Sequence, residues 1–122
     1  MAVVALSSVN IGNVQVLTWA GLTTNDTGEP WQRADYTNKC VQIFGDFGTN
    51  ATCTMQGSND PRVITDPSNA VWFSLTDPQA NAIAKTSAAG EEILENPRWI
   101  RPYVTSGTSP SLTIIISATK GF

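Results

Sequence analysis

The side chains that could carry out acid–base or nucleophilic chemistry are few in this sequence. It contains no histidine, so it lacks the imidazole that serves serine and cysteine triads and many metal sites. Serine and threonine are plentiful, but no G-x-S-x-G nucleophile elbow occurs. Glu91, Glu92 and Glu95 lie close together in the sequence, which is more typical of a solvated surface than of a catalytic pair. These residue types predict a protein that is not an enzyme and has no catalytic residues.

Cys40 and Cys53 are the two cysteines. Two cysteines without histidine or a C-x-x-C spacing do not make a zinc site, and we expect neither a metal nor a cofactor. Cys53 alternates with Ala51 and Met55 on an apolar face, whereas Cys40 falls on the polar face of its own segment. Two separate thiols are therefore favoured, and a disulfide between them stays the alternative.

Tryptophan and arginine are the residue types that most favour binding. Four tryptophans are many for 122 residues, and exposed aromatic rings form sugar-stacking or protein-interface surfaces. Trp31 lies in a polar segment and is the best candidate for an exposed or interface aromatic, whereas Trp72 is expected in the core. Arg98 and Arg101 lie in the C-terminal segment 96–122, which contains no acidic residue. We predict Trp31, Arg98 and Arg101 as partner contacts.

The elements that hold these residues are predicted to be β-strands. Short runs of alternating apolar and polar residues are separated by Gly, Pro, Asn, Asp and Ser, which is typical of strands and turns. The length and the 41% hydrophobic content predict one packed domain over residues 1–122. An antiparallel β-sandwich, jelly-roll or immunoglobulin-like, is favoured, with about six to eight strands and at most one short helix. The strongest strand is predicted at 112–118, with its inward side chains being Leu112, Ile114, Ile116 and Ala118.

Four further segments carry local predictions. Residues 39–56 are predicted to form a hairpin around the turn GDFGTN, and residues 57–70 a long exposed loop. A short helical turn is predicted at 78–84. Pro102 cannot donate a ladder hydrogen bond, so it suggests an edge position or a bulge for the strand that contains it.

The N-terminal segment carries no charged side chain through Asn25. It has no basic region of the kind that begins a signal peptide, and polar residues interrupt it too often for a transmembrane helix. Residues 1–12 are either an ordinary first strand or an N-terminal arm that lies on a partner. The net charge of −3 weakens the case for a nucleic-acid binder, so we expect neither nucleic acid nor membrane as a partner.

Three distinctive stretches lie in and around residues 41–76 and 97–116, namely VQIFGDFGTNATCTMQGSND, VWFSLTDP and ENPRWIRPYVTSG. They give a strand, a glycine turn and a strand that ends in G-S-N-D, then a W-x-x-L-x-D segment and an R-P-x-V-T-x-G hairpin before the last strand. In this combination the chain resembles a group of small structural proteins of tailed bacteriophages. Residues 61–70 are longer than the usual turn at that place.

The resemblance implies a virion structural protein that decorates or cements the exterior of a tailed-phage capsid. Its partners would be several subunits of the major capsid protein and copies of itself, as a dimer or trimer. It would be made in the host bacterial cytoplasm and reside on the capsid surface of the virion. Two alternatives stay open. One is a tail, baseplate or fibre module, and the other is a carbohydrate-binding β-sandwich that stacks sugars on Trp31, Trp72 or Trp99.

Overall fold

A computed structural model describes residues 2–32 and 36–120 of the chain. Over these ranges the backbone forms twelve strands and one short helix. Seven of the strands have five or more residues, and the other five have two residues each. In chain order the elements are β1 (Val3–Val4), β2 (Leu6–Ile11), β3 (Val14–Leu22), β4 (Thr27–Gly28), β5 (Trp31–Gln32), β6 (Tyr36–Asp46), β7 (Thr52–Ser58), α1 (Arg62–Thr65), β8 (Phe73–Ser74), β9 (Ala84–Lys85), β10 (Ala89–Ile93), β11 (Trp99–Thr105) and β12 (Ser111–Lys120). A single 3₁₀ turn, Pro67–Asn69, follows α1.

The strands form two sheets. The seven-stranded sheet has the order β1-β4-β11-β7-β8, with β5 also paired to β11 and β9 to β7. The five-stranded sheet has the order β10-β6-β12-β3-β2. The pairing of β1 with β4 is parallel, whereas the long strands pair antiparallel. The predicted all-β class is therefore confirmed.

The core lies between the two sheets, where alternate side chains of each sheet face the other. β12 runs between β6 and β3, and its Ile114 pairs with Ile43 on one side and Trp19 on the other. Because β12 is central, its whole inner face is buried, as the sequence predicts for Leu112, Ile114, Ile116 and Ala118. The seven-stranded sheet contributes Cys53, Met55, Ile100 and Val104 to the same cluster.

The predicted hairpin at 39–56 is wrong, because β6 and β7 belong to different sheets. Val41 and Ile43 face the core from one sheet, and Cys53 and Met55 face it from the other. Alternation fixes the buried face of each strand but does not say whether two strands share a sheet. The tight hairpin of the N-terminal half is instead β2–β3, joined by Gly12 and Asn13 with Gly12 at φ +62°.

The predicted helical turn at 78–84 is also wrong. That segment forms a turn, a bridge between Thr76 and Ala82, and the start of β9. The short helix α1 lies instead inside the predicted exposed loop 57–70. Much of that loop is exposed, but Ser58 and Val63 are buried.

Pro102 lies inside its sheet rather than on an edge strand, because β11 has partners on both sides. Val104 N–H donates to Asp26 O on the β4 side, and Pro102, two residues earlier, points its nitrogen the same way. On that side β5 pairs with residues 99 and 100 and β4 pairs with 103. The missing N–H of Pro102 therefore faces the gap between these two short strands.

We expect one cysteine to react with a thiol reagent in the native protein. Both cysteines are free thiols, with Cys40 exposed on β6 and Cys53 buried on β7. Burial raises the pKa of Cys53 to about 12, so its reactive thiolate is scarce at neutral pH. Mass spectrometry after brief iodoacetamide treatment should find Cys40 modified, with Cys53 modified only after denaturation. Equal modification of both thiols in the native state would contradict this placement.

Candidate functional site

The three predicted contact residues occupy different environments. Trp31 is only 4% exposed and belongs to the core cluster. Its strand β5 pairs Trp31 with Ile100, and its ring centroid lies 5.8 Å from that of Tyr36. The predicted exposure of Trp31 is therefore wrong, and this residue offers almost no surface to a partner. Arg98 is exposed and Arg101 is half-buried.

Arg101 lies on the outer face of the seven-stranded sheet, beside a half-buried tryptophan. In β11, Ile100, Pro102 and Val104 face the core, so Trp99, Arg101 and Tyr103 face outward. The guanidinium carbon of Arg101 lies 4.0 Å from the ring centroid of Trp72. Trp72 is half-buried, so its predicted core position is wrong.

Arg101 is held in place from a second direction as well. Its Nε donates a hydrogen bond to Gln56 Oε1 at 2.8 Å, on the neighbouring strand β7. Burial lowers the pKa of Arg101, and Tyr103 acts against this shift, but a guanidinium stays charged at neutral pH. The chain thus presents a fixed cation stacked on an aromatic ring.

A groove runs beside this pair, and we call it the Trp72 groove. One part encloses about 220 Å³ and is lined by Val3, Val63 and Pro67 together with Trp72 and Arg101. An adjoining part of about 480 Å³ extends to Ala70 and Tyr103. Its walls are apolar and its one charged lining residue is Arg101, so it suits an apolar segment that carries an acceptor or a negative charge.

Arg98 lines a second groove of about 540 Å³, together with Asn59, Pro61, Asn96 and Trp99. We call it the Arg98 groove. The backbone N–H of Arg98 donates to Asn59 Oδ1 at 2.8 Å. Its guanidinium carbon lies 5.5 Å from the Trp99 ring centroid. The structure therefore places Arg98 and Arg101 in two grooves beside β11, and it does not bring Trp31 to either.

Residues 59–72, between β7 and β8, form one wall of both grooves. The side chain of Asp60 joins the two ends of this segment by hydrogen bonds. The Asp60 carboxylate accepts hydrogen bonds from Arg62 N, Nε and Nη2 and from Val71 N, at 2.8–3.1 Å. The hydrogen bonds from Arg62 hold the pKa of Asp60 well below its usual range. Ser58 Oγ donates to Val71 O at 2.7 Å. These bonds fix the segment on which α1 and Trp72 are carried.

Ala2 and Val3 form the opposite wall of the Trp72 groove, and Asp26 holds Ala2 in place. Asp26 Oδ1 accepts from Ala2 N–H, and Oδ2 accepts from the N–H and Oγ1 of Thr23, each at 2.9 Å. Burial raises the pKa of Asp26, but the hydrogen bonds from Thr23 and Ala2 outweigh it, so that the pKa is lowered from 3.8.

We therefore expect the stability of the fold to fall in acid partly through Asp26. Because the folded pKa lies below the unfolded value of 3.8, the contribution of the carboxylate is present above pH 3.8 and is lost as the pH falls through the folded pKa. Urea unfolding between pH 5 and pH 2.5 should show a smaller loss of unfolding free energy in Asp26→Asn than in the unaltered protein. An unchanged slope in Asp26→Asn would contradict this role.

Two absences can be stated for residues 2–32 and 36–120. No group of three or more acidic or cysteine side chains within these ranges is arranged to hold a metal ion. Likewise, none of the helices in this part of the chain is long and apolar enough to cross a membrane.

Comparison with solved structures finds a similar fold in a prophage-derived protein. The SPBc2 prophage-derived protein YomS superposes with a TM-score of 0.58 at 12% identity, over 91% of this chain and 99% of that one. Peruvianin-I, a cysteine peptidase from Thevetia peruviana latex, has a TM-score of 0.46 at 12% identity, over 94% of this chain and 60% of the peptidase. Protein NMB1881 from Neisseria meningitidis has a TM-score of 0.39 at 10% identity, over 94% and 83%.

No protein-family model matches the sequence, and no curated protein shows significant similarity to it. At 12% identity, the likeness to the prophage-derived protein establishes a shared fold.

Proposed function

We propose that this chain is a non-enzymatic structural protein of a tailed-phage particle, which decorates the exterior of the capsid by binding several major capsid protein subunits. The observation that carries the proposal is the fold shared with a prophage-derived protein along nearly the whole of both chains. It agrees with the motifs at 41–76 and 97–116, which resemble virion structural proteins.

The architecture suits such a role. A long-stranded sandwich with one continuous core is a rigid body, and rigidity lowers the entropy cost of binding a repetitive surface. Contacts to several subunits at once raise the effective affinity above that of any single contact.

The Trp72 groove and the Arg98 groove are the capsid-contacting surface in this proposal. They combine apolar walls with two cations that are already positioned by Trp72, Gln56 and Trp99. Tryptophan and arginine are the residue types that contribute most at protein interfaces. A capsid segment with an apolar side chain next to a carboxylate would match this surface.

The test is the copy number of the chain in the particle whose genome encodes it. Quantitative mass spectrometry of purified particles should give a ratio to the major capsid protein near one, or near a simple fraction set by the symmetry of the shell. A few copies per particle would overturn decoration in favour of a tail, baseplate or fibre module. Complete absence from the particle would overturn every virion role.

A carbohydrate-binding role is the second candidate, because Trp72 and Tyr103 both line the Trp72 groove. One face of the Trp72 ring is already covered by Arg101, so at most the other face can stack on a sugar. Saturable quenching of tryptophan fluorescence by host-cell glycans, abolished in Trp72→Ala, would favour this role. No quenching would leave the capsid proposal as the one to pursue.

A further inference from the structure

The free edges of the two sheets differ in length and charge. The seven-stranded sheet ends in strands of two residues at both sides, which offer little backbone for pairing. At one end of the five-stranded sheet, β10 carries Glu91 and Glu92. At the other end, β2 is six residues long and has neither a charge nor a proline. Natural edge strands are commonly protected by short length, charge or proline, and beyond Leu6, whose outward N–H is bonded to the Glu29 carboxylate, β2 has none of these protections.

The outer face of the five-stranded sheet next to β2 is also uncharged. Val9 pairs with Val16 and Ile11 with Val14, and Val9 and Ile11 are 60% and 65% exposed. Across β2, β3 and β12 and the part of β6 up to Phe44, the side chains on this face are uncharged, namely Ser7, Val9, Ile11, Val14, Val16, Thr18, Thr113, Ile115, Ser117, Thr119, Asn38, Cys40, Gln42 and Phe44. The charged Asp46 follows at the end of β6, opposite Ser111 and separated from β2 by two strands. Such a face suits contact with protein rather than with bulk water.

We propose that β2 is a self-association edge, at which two copies of this chain pair antiparallel across a two-fold axis. The pairing would join two five-stranded sheets into one of ten strands. The chain carries a net charge of −3, so two copies repel each other wherever acidic surfaces meet. A second copy fits at β2 because residues 7–11 and the face beside them are uncharged, so two like-charged molecules can meet there without placing charges opposite each other.

The backbone directions in β2 determine the register. Leu6 N–H donates to Glu29 Oε1 at 2.9 Å, so it points away from β3. Alternate residues of a strand point their N–H and C=O groups the same way. Ser8 and Asn10 therefore direct their backbone donors and acceptors to the free edge.

Of the symmetric registers that keep the inner faces together, the two that overlap most of β2 place either Val9 or Ser8 on the axis. The register centred on Ser8 needs the N–H of Leu6, which Glu29 already occupies. The register centred on Val9 pairs Ser8 with Asn10 of the second copy and uses backbone groups that are directed to the free edge. It also puts the two Val9 side chains opposite each other at a position without hydrogen bonds, where side chains approach most closely.

This contact alone is small, since only residues 7–11 of each copy overlap. We expect a dimer that dissociates on dilution, because stable interfaces usually bury more than about 1,200 Å². On any surface that holds two copies side by side, the same contact would act at high effective concentration.

Disulfide trapping tests the register. In a Cys40→Ser background, Val9→Cys would place two thiols on opposite strands about 4.5 Å apart at Cα, within the range that a disulfide spans. The matched control is Val71→Cys in the same background, because Val71 has a similar exposure, 65% against 60% for Val9, and lies next to β8 of the seven-stranded sheet. Mild oxidation of the purified chain should give at least tenfold more covalent dimer from Val9→Cys than from Val71→Cys. Equal yields would overturn the proposal.

A charged variant provides the second measurement. Val9→Lys places like charges opposite each other on the axis, and we expect it to raise the dimer dissociation constant at least tenfold in sedimentation velocity, with an unchanged circular dichroism spectrum. An equal dissociation constant would overturn the proposed edge. Cross-linking of position 9 to a different protein on particles, in place of a second copy, would also overturn it. Both measurements on the purified chain are independent of where the protein functions.

Discussion

Replacing Trp19 with alanine is expected to lower the free energy of unfolding by about 3–5 kcal/mol. Trp19 is fully buried in the middle of β3, paired with Ile114 of β12 and with Leu6 of β2. Its Nε1 donates to Glu29 O at 3.0 Å. The ring also packs on Gly28, where a Cβ would lie 2.6 Å from it. The substitution would thus open a large cavity and remove a hydrogen bond next to the N-terminal wall of the Trp72 groove.

Equilibrium urea unfolding, followed by circular dichroism, measures this effect. Trp72→Ala is the matched control, because it removes the same side chain from a half-buried position against Arg101. We expect the control to cost about 1–2 kcal/mol, since it leaves no enclosed cavity and removes a surface cation–π contact. Equal losses in the two variants would show that the burial of Trp19 does not determine the stability of the sandwich.

The sequence predicted the faces of the strands well, because burial of one face imposes a period of two on each strand. In β12 the inward set Leu112, Ile114, Ile116 and Ala118 is fully buried. Cys53 and Met55 of β7, and Ala51 just before it, are buried as the alternation indicates. Each of these conclusions needs only the neighbours of a residue along its own strand.

The pairing of strands was harder to predict, because two strands can bury the same pattern from opposite sheets. β6 and β7 are adjacent in sequence and both alternate, yet they face each other across the core. The true hairpin had a signal of its own, since Gly12-Asn13 between two alternating runs is a two-residue hairpin turn. Pairing across the core depends on loop geometry that alternation does not encode.

Trp31 was predicted to be exposed and Trp72 to be in the core, but Trp31 is buried and Trp72 is half-buried on the outer face. Trp31 lies among polar residues, but its pairing with β11 turns the ring into the core. Trp72 lies in an apolar run, but it follows a closed loop that places it on the outer face beside Arg101. Local hydropathy cannot distinguish these cases, because which ring is covered depends on residues distant in sequence.

Removing both arginine charges of the two grooves is expected to reduce binding to capsids at least tenfold, if the chain decorates them as proposed. The variant is Arg98→Gln together with Arg101→Gln, which removes two cations from the surface beside β11 and lowers the net charge by two. Truncating an arginine anchor commonly costs more than 1 kcal/mol, and about 1.4 kcal/mol corresponds to a tenfold change in affinity. Two such losses therefore predict a change well above the error of a binding measurement.

The matched control is Thr86→Glu together with Ser87→Glu, which lowers the net charge by the same two units at exposed positions away from both grooves. Purified variants would be added to capsids that lack the chain, and the bound copies counted by quantitative mass spectrometry across a concentration series. The arginine variant should bind at least tenfold more weakly than the control at a fixed salt concentration, with both variants equally stable in urea. Equal binding by the two variants would move the contact away from the grooves, toward the outer face of the five-stranded sheet. Weakened binding by both would show that capsid attachment depends on overall charge rather than on Arg98 and Arg101.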